Sequence, residues 1–219
     1  MASRQEFTVV VDIGTTKITA LAGEVDLNRK IELLGKAMVP SRGIRRGVVL
    51  NPGEFSLALQ SLLSQLEAQI GVKIKSVDVA LAGQGVRTTT YEGIRYIESG
   101  LVSQHDIDYL ENEAFNMPLD PGYRVYHLFP ANYDIGDDQG VSIPVGHEGR
   151  KMTARYTLVT APASYQESVE KALDRIGVQL GDFILSPIAL SSAVISEEEK
   201  EGGVAVVGRG FGAHRTMTA

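Results

Sequence analysis

The chain has no cysteine among its 219 residues, and this absence excludes a disulfide scaffold, thiolate metal sites and thiol catalysis. No apolar stretch approaches the roughly 20 residues that a membrane-spanning helix requires. The N-terminus is polar up to Glu6 and the apolar run after it soon meets Asp12, which does not fit a signal peptide. The net charge of -6 lacks the basic balance of a general nucleic-acid-binding protein. We therefore expect a cytoplasmic protein with no nucleic acid among its partners.

Several catalytic and metal-binding patterns are also missing. The chain has no G-x-x-x-x-G-K-[ST] loop and no H-E-x-x-H pair, and no serine stands in a nucleophile elbow. The four histidines are scattered without metal-ligand spacing. With 43% hydrophobic and 22% charged residues, the sequence is that of an ordinary globular protein of one or two domains.

The stretch from Asp12 to Lys17, which we call the phosphate turn, is the one candidate site with a coherent mechanism. A β-branched run at 8–11 precedes it and predicts a buried strand. Gly14 allows a ligand to approach the backbone closely, successive N–H groups at such a turn form an anion nest, and Asp12 is suited to hold Mg²⁺ through water. These residues fit a Mg²⁺-nucleotide phosphate site, and they fit an ordinary hairpin with polar turn residues equally well.

The segments around this turn predict a mixed α/β sheet. A helix starts after Asn51, with Pro52 at its first position, and ends at Gly71. Strands are predicted at 18–22, 31–39 and 76–82. The phosphate turn then stands at a strand end, where open α/β sheets bind ligands. The arginine-containing segment 42–47 is either a basic contact loop or a solvated run.

A second group of elements interrupts this sheet. A helix begins at a capping box, Ser103 to Asp106, and strands are predicted at 86–97, 123–135 and 151–160. The polar segment 136–150 is predicted to be a loop. The chain then returns to the first pattern, with a helix from Ser164, a strand at 180–185, a short helix at 187–195, an acidic run at 197–201 and a strand from Gly203.

The residues at 11–17, Val-Asp-Ile-Gly-Thr-Thr-Lys, resemble the first phosphate motif of the actin, Hsp70 and sugar-kinase superfamily. Within it the chain most resembles the FtsA family of actin-like bacterial cell-division proteins. The supporting segments, in the order of that family, are Gly35 with 40–47 (PSRGIRRG), 77–83 (VDVALAG), 127–130 (HLFP) with 133–135 (YDI), 140–146 (GVSIPVG) and 185–195 (LSPIALSSAVI).

This resemblance implies an α/β fold with an actin-like (ribonuclease H-like) mixed sheet, interrupted by an inserted strand-helix-strand-strand subdomain of the SHS2 type. Residues 1–85 with 158–197 would form subdomain 1A, residues 86–157 the FtsA-type subdomain 1C, and residues 198–219 the start of subdomain 2A with an atypical tail.

The resemblance also implies a nucleotide site and a cellular role. Asp12 would hold the hydration shell of Mg²⁺, Gly14, Thr15 and Thr16 would cradle the β- and γ-phosphates of ATP, and Lys17 would neutralise charge. Members of the family are weak ATPases of the divisome. They self-associate, bind FtsZ and other division proteins, and reach the cytoplasmic face of the inner membrane at the septum through a C-terminal amphipathic helix that this sequence lacks.

The end of the sequence departs from the family pattern. After Val207 the family continues with a second phosphate motif, D-x-G-x-G-T-T-D, whereas this chain reads GRGFGAHRTMTA with Gly208 in place of the first Asp. We expect a truncated or frame-shifted chain that is foreign to the family after about Val207, has an incomplete nucleotide site and is inactive as an ATPase. The alternatives are a stand-alone interaction module, a pilus-assembly actin homologue or a sugar-kinase-like enzyme.

Overall fold

A computed structural model describes residues 7–27, 30–196, 198–199, 204–210 and 213–218. The acidic run and the predicted strand start at Gly203 lie partly outside the described residues, as do positions 211, 212 and 219 of the tail, and the side chains after Val206 are not described. The chain divides into two compact units. We call Met1–Gln84 with Ser164–Ala219 the host unit and Gly85–Ala163 the inserted unit.

The helices and strands follow one another along both units. In chain order they are β1 (Thr8–Ile13), β2 (Lys17–Val25), β3 (Ile31–Pro40), β4 (Ile44–Arg45), β5 (Val48–Val49), α1 (Pro52–Ile70), β6 (Ser76–Leu81), β7 (Arg87–Tyr96), α2 (Gln104–Phe115), β8 (Tyr123–Ile135), β9 (Asp138–Val141), β10 (Lys151–Pro162), α3 (Ser164–Asp174), β11 (Gln179–Leu185), α4 (Ser186–Val194), β12 (Ala205–Gly210) and β13 (Ala213–Thr218).

The host unit is built on a five-stranded sheet in the order β11-β6-β1-β2-β3. Strand β1 is antiparallel to β2 and parallel to β6, and β11 is parallel to β6. Parallel strands end on the same side of a sheet, so the carboxyl ends of β1, β6 and β11 share one edge. The phosphate turn begins at this edge.

Helix α1 covers one face of the host sheet and has the ends that the sequence predicts. The Asn51 side chain accepts hydrogen bonds from the N–H groups of Gly53 and Glu54, and Gly71 adopts the left-handed conformation (φ 71) that ends the helix. Burying one large apolar side chain stabilises a fold by roughly 1.5–3 kcal/mol. The buried apolar face of α1 consists of Phe55, Leu59, Leu62, Leu63 and Leu66. A side chain on Gly35 of β3 would lie 2.9 Å from atoms of Leu66 and Ile70, so glycine permits this close packing.

The segment at 42–47, interpreted from sequence as a loop, contains a tight hairpin. Strands β4 and β5 are joined by Arg46 (φ 53) and Gly47 (φ 79). Two successive residues with positive φ are typical of the type I′ turns that connect twisted strands. A Cβ at Gly47 would lie 2.3 Å from the carbonyl oxygen of Ala82. The backbone of the hairpin at Gly47 therefore packs directly against the backbone of Ala82, the residue that follows β6.

The inserted unit is a four-stranded antiparallel sheet in the order β7-β10-β8-β9. Residues of α2 join its buried core, which includes Ile107 and Leu110 with Tyr156 and Leu158 of β10. The prediction of a loop at 136–150 is wrong in part, because β9 lies within it. That strand is polar and exposed and, among the described strands, pairs with β8 alone. It therefore lacks the apolar alternation that would mark it in the sequence.

Strands β12 and β13 form an antiparallel hairpin in which Gly208 pairs with Arg215. Among the residues that the structure describes, no helix is both long enough and apolar enough to cross a membrane.

Candidate functional site

The phosphate turn is a short hairpin connection between β1 and β2. Ile13 pairs with Ile18 across the two strands, and the N–H of Gly14 donates to the carbonyl oxygen of Lys17 at 3.0 Å. A Cβ at Gly14 would lie 2.7 Å from that same oxygen. Glycine is therefore required here because the backbone closes on itself, and its φ is not positive.

Three carbonyl groups of the turn, those of Gly14, Thr16 and Lys17, accept hydrogen bonds from the described residues, whereas two of its N–H groups donate none. The hydroxyl of Ser41 donates to the carbonyl oxygen of Gly14 at 2.6 Å, and the backbone N–H of Ser41 donates to the carbonyl oxygen of Thr16 at 3.0 Å. Within the described part of the chain, no hydrogen bond engages the N–H of Thr15 or of Thr16. Adjacent N–H donors of this kind form an anion-binding nest.

The charged side chains of the turn are exposed to solvent. An Asp12 carboxylate oxygen accepts a hydrogen bond from the hydroxyl of Ser186, the first residue of α4, at 3.2 Å. Lys17 forms no ion pair with a carboxylate of the described residues. Both charges are therefore available to a ligand at the shared strand edge.

These groups fit a magnesium nucleotide. Two N–H donors and an ammonium suit phosphate oxygens, and a single carboxylate suits Mg²⁺, which keeps much of its hydration shell and is shared with the phosphates of its nucleotide. The described residues contain no group of three or more acidic or histidine side chains that would hold a metal ion by itself. With Asp12 as the one carboxylate of the turn, these groups favour a Mg²⁺ ion that is bound together with its nucleotide.

The structure brings the five residues singled out from the sequence into one turn: Asp12, Gly14, Thr15, Thr16 and Lys17. Their role towards a nucleotide stays a prediction. Sequence reasoning missed Ser41 and Ser186, which contact the turn from 27 and 174 residues away. One signal was present for Ser41, because a hairpin of β2 and β3 that pairs Lys17 with Pro40 places the next residue opposite Thr16.

Several charged side chains of the inserted unit form ion pairs with one another. Asp106 is 8% exposed and accepts hydrogen bonds from the Ser103 N–H (3.0 Å), the Ser103 hydroxyl and the Arg95 guanidinium (3.2 Å). Burial alone would raise the pKa of Asp106, but the Ser103 hydrogen bonds and the Arg95 charge outweigh it and hold the pKa below its usual value. The Arg95 guanidinium also lies 4.1 Å from the ring centre of Tyr109.

The sheet face away from α2 carries a second network and several apolar side chains. Arg155 donates to Glu92 (2.8 Å), Asn132 (3.1 Å) and Asp134 (2.7 Å). The Gly140 N–H and the Arg155 charge lower the pKa of Asp134. The same strands expose the apolar and aromatic residues Ile94 (48%), Tyr96 (72%) and Phe129 (39%).

Comparison with known proteins matches the inserted unit to a known domain and shows that nearly the whole chain is similar to one group of proteins. Residues 83–160 match the model of the SHS2 domain inserted in FtsA. The cell division protein FtsA of Pseudomonas aeruginosa is 33% identical over 214 residues, covering 97% of this chain and 51% of that protein. The FtsA of Neisseria meningitidis serogroup B is 32% identical over 212 residues, with the same two coverages. The FtsA of Escherichia coli K12 is 31% identical over 211 residues, covering 96% of this chain and 50% of that protein.

One solved structure, of the PilM-PilN type IV pilus biogenesis complex, has a similar fold. Its TM-score is 0.60 at 13% identity, and the match covers 93% of this chain and 55% of the other. At that identity the likeness concerns the fold alone. The predicted fold class, an actin-like mixed sheet interrupted by an SHS2-type subdomain, is confirmed.

The extent of the similarity bears on the tail. A match that covers 97% of the chain continues past Val207, so the similarity does not stop at the point where we expected foreign sequence to begin. The chain spans about half the length of the curated relatives that it matches. The chain is therefore FtsA-like: an actin-like fold, interrupted by the SHS2 domain, that is related over nearly its whole length to the FtsA cell division proteins.

Proposed function

We propose that this chain provides the first phosphate-binding turn of a Mg²⁺-ATP site in an FtsA-like cell-division protein. The whole protein would bind ATP, self-associate, and link FtsZ filaments to the cytoplasmic face of the membrane at the division site. The relationship to FtsA supports the cellular role, and the geometry of the phosphate turn supports the nucleotide.

The observation that carries the nucleotide proposal is the division of hydrogen bonds within the turn. Its carbonyl oxygens at Gly14, Thr16 and Lys17 accept hydrogen bonds from the protein, while the N–H groups of Thr15 and Thr16 have no partner among the described residues. These two N–H groups suit a phosphate, because its oxygens are acceptors and need donors.

Each residue of the turn then has a role. The Thr15 and Thr16 N–H groups and hydroxyls bind phosphate oxygens, and Gly14 lets them approach the backbone. Lys17 lies exposed and offers its ammonium to the same phosphates. Asp12, oriented by Ser186, accepts hydrogen bonds from the water shell of Mg²⁺.

We further propose that residues 1–85 with 158–197 form subdomain 1A, that residues 86–157 form subdomain 1C, and that residues 198–219, which include β12 and β13, begin subdomain 2A. The inserted unit would mediate self-association and contacts with other division proteins. Support comes from its sheet face, which exposes Ile94, Tyr96 and Phe129 around the Arg155 network. Aromatic residues are enriched at protein interfaces.

The nucleotide proposal is tested by titrating the isotope-labelled chain with Mg²⁺-ATP and following its backbone amide signals by NMR. We expect saturable shifts of the Thr15 and Thr16 amides with a Kd of about 1 mM or weaker, near -4 kcal/mol, because the described turn supplies donors from one strand edge. Lys17→Met should weaken this binding, whereas Lys36→Met, which removes an exposed lysine of β3, should not.

Two results would contradict the proposal. One is the absence of saturable shifts at Thr15 and Thr16 up to the solubility limit of Mg²⁺-ATP. The other is an equal loss of affinity in Lys17→Met and Lys36→Met, which would indicate a general charge effect in place of a site.

A further inference from the structure

We infer that Ser41 is a positioning residue of the phosphate turn: its hydroxyl fixes the peptide group between Gly14 and Thr15 so that the Thr15 N–H faces the ligand. This inference rests on the proposed function. It starts from the two hydrogen bonds that Ser41 donates, from its hydroxyl to the Gly14 carbonyl at 2.6 Å and from its N–H to the Thr16 carbonyl at 3.0 Å.

Because the peptide group is planar, a hydrogen bond that fixes the direction of its C=O also fixes the direction of its N–H. The C=O and N–H of one peptide group are held in one plane and, in the trans form, point in opposite directions. A bond from Ser41 to the Gly14 carbonyl therefore directs the Thr15 N–H away from Ser41. In the same way, the bond to the Thr16 carbonyl directs the Lys17 N–H away from it.

The peptide group after Gly14 is the one in the turn that most needs such a restraint. Glycine has the widest range of backbone conformations, so rotation of this group costs less here than at its neighbours. Rotation would turn the Gly14 carbonyl towards the phosphate and remove the Thr15 donor. The Ser41 hydroxyl opposes this rotation because it would lose its acceptor.

Ser41 is itself held in place by the segment that follows it. The carbonyl of Gly43 accepts hydrogen bonds from the N–H groups of Leu50 (2.8 Å) and Asn51 (3.1 Å) at the start of α1. A Cβ at Gly43 would lie 2.3 Å from the Asn51 carbonyl oxygen, so the backbone is closely packed there. The phosphate turn is thereby connected through Ser41 to the N-terminus of the longest helix described.

The test compares Ser41→Ala with a matched variant, Ser56→Ala. Ser56 also donates its hydroxyl to a backbone carbonyl, that of Pro52 at 2.8 Å, but within α1 and away from the turn. We expect Ser41→Ala to weaken Mg²⁺-ATP binding about 5-fold, the usual effect of one hydrogen bond, and Ser56→Ala to leave it unchanged. Ser41→Thr keeps the hydroxyl and should restore most of the affinity.

A second readout needs no ligand, and it separates failure of this inference from failure of the proposed function. NMR relaxation dispersion of the free chain should report exchange at the Thr15 amide in Ser41→Ala and none in the parent chain or in Ser56→Ala. Absence of that exchange would overturn the inference even if ATP binds. If the parent chain does not bind Mg²⁺-ATP, the proposed function fails, while exchange at Thr15 would still support the role of Ser41 as a positioning residue.

Discussion

Three arginines of the inserted unit are paired with carboxylates, whereas the charged side chains of the phosphate turn in the host unit are not paired among the described residues. In the inserted unit, Arg87, Arg95 and Arg155 each bind a carboxylate within 3.2 Å. In the host unit, the described ion pairs lie at helix α3 and near the end of α1. At the edge where β1 ends, Asp12 and Lys17 take part in no described ion pair.

This difference separates groups that stabilise the fold from groups that remain for a ligand. A charged side chain that already has partners contributes to its own unit and has little left for binding. An exposed charge at a strand edge contributes little to stability and keeps its full capacity to bind. Substitutions of the partnered charges should therefore lower stability, and substitutions of the exposed charges at the strand edge should lower ligand affinity.

The largest expected effect on stability is at Asp106. Asp106→Ala removes the hydrogen bonds at the start of α2 and the partner of Arg95, and should reduce the free energy of unfolding of the inserted unit by about 2 kcal/mol. Asp108→Ala, which removes an exposed carboxylate of the same helix, is the matched control and should cost less than about 0.5 kcal/mol. Hydrogen exchange of the β7 and β10 amides measures both.

The same carboxylate gives the inserted unit a defined pH dependence. The pKa of Asp106 is lower in the folded chain than in the unfolded chain, so its contribution is present above the unfolded value of about 3.9 and is lost as the pH falls through the folded value. Asp106→Ala should therefore flatten the acid limb of the stability curve below about pH 4. An unchanged acid limb, or equal costs for Asp106→Ala and Asp108→Ala, would contradict this account of the network.

An intermediate effect is expected on self-association. Tyr96 is 72% exposed on the open face of the inserted sheet, and burying such a ring contributes about 1–2 kcal/mol to an interface. Tyr96→Ser should weaken self-association about 10-fold in sedimentation velocity. Leu57→Ser, at an exposed position of α1 (66%), is the control. Equal behaviour of the two variants would show that the open face has no special role.

The smallest effect on stability is expected at the phosphate turn. Lys17→Met removes an exposed side chain without a described ion pair, so the free energy of unfolding should change by less than about 0.5 kcal/mol. Chemical denaturation measures this change. A loss of 2 kcal/mol or more would mean that Lys17 supports the fold, and the contrast between the two units would then disappear.

The parts of the fold that follow from local rules were predictable from the sequence. The N-cap at Asn51, the C-cap at Gly71 and the apolar stripe of α1 each depend on residues within one or two turns of one another. Strand β9 was missed because it is exposed and pairs with β8 through its backbone. Such a strand shows no alternation of apolar and polar residues in the sequence. The Arg46-Gly47 turn was missed because arginine seldom adopts a positive φ.

In the candidate site, too, the residues that are adjacent in sequence could be predicted more easily than the contacts between distant residues. Its residues from Asp12 to Lys17 are contiguous and could be selected from sequence. Ser186 could not, because its contact depends on the return of the chain at α4, and Ser41 could be found only through the register of β2 with β3. Which N–H groups remain without partners follows from those contacts, so it required the structure.

If the phosphate turn holds Mg²⁺-ATP, a paramagnetic Mn²⁺ ion in place of Mg²⁺ will reveal the site by NMR. Mn²⁺ broadens the NMR signals of amides near it. In the presence of ATP, the signals from Asp12 to Lys17 should broaden first, ahead of those near Asp106 and Asp108, and Mn²⁺ without ATP should not produce this pattern. Broadening that centres on α2, or that is the same with and without ATP, would contradict the claim.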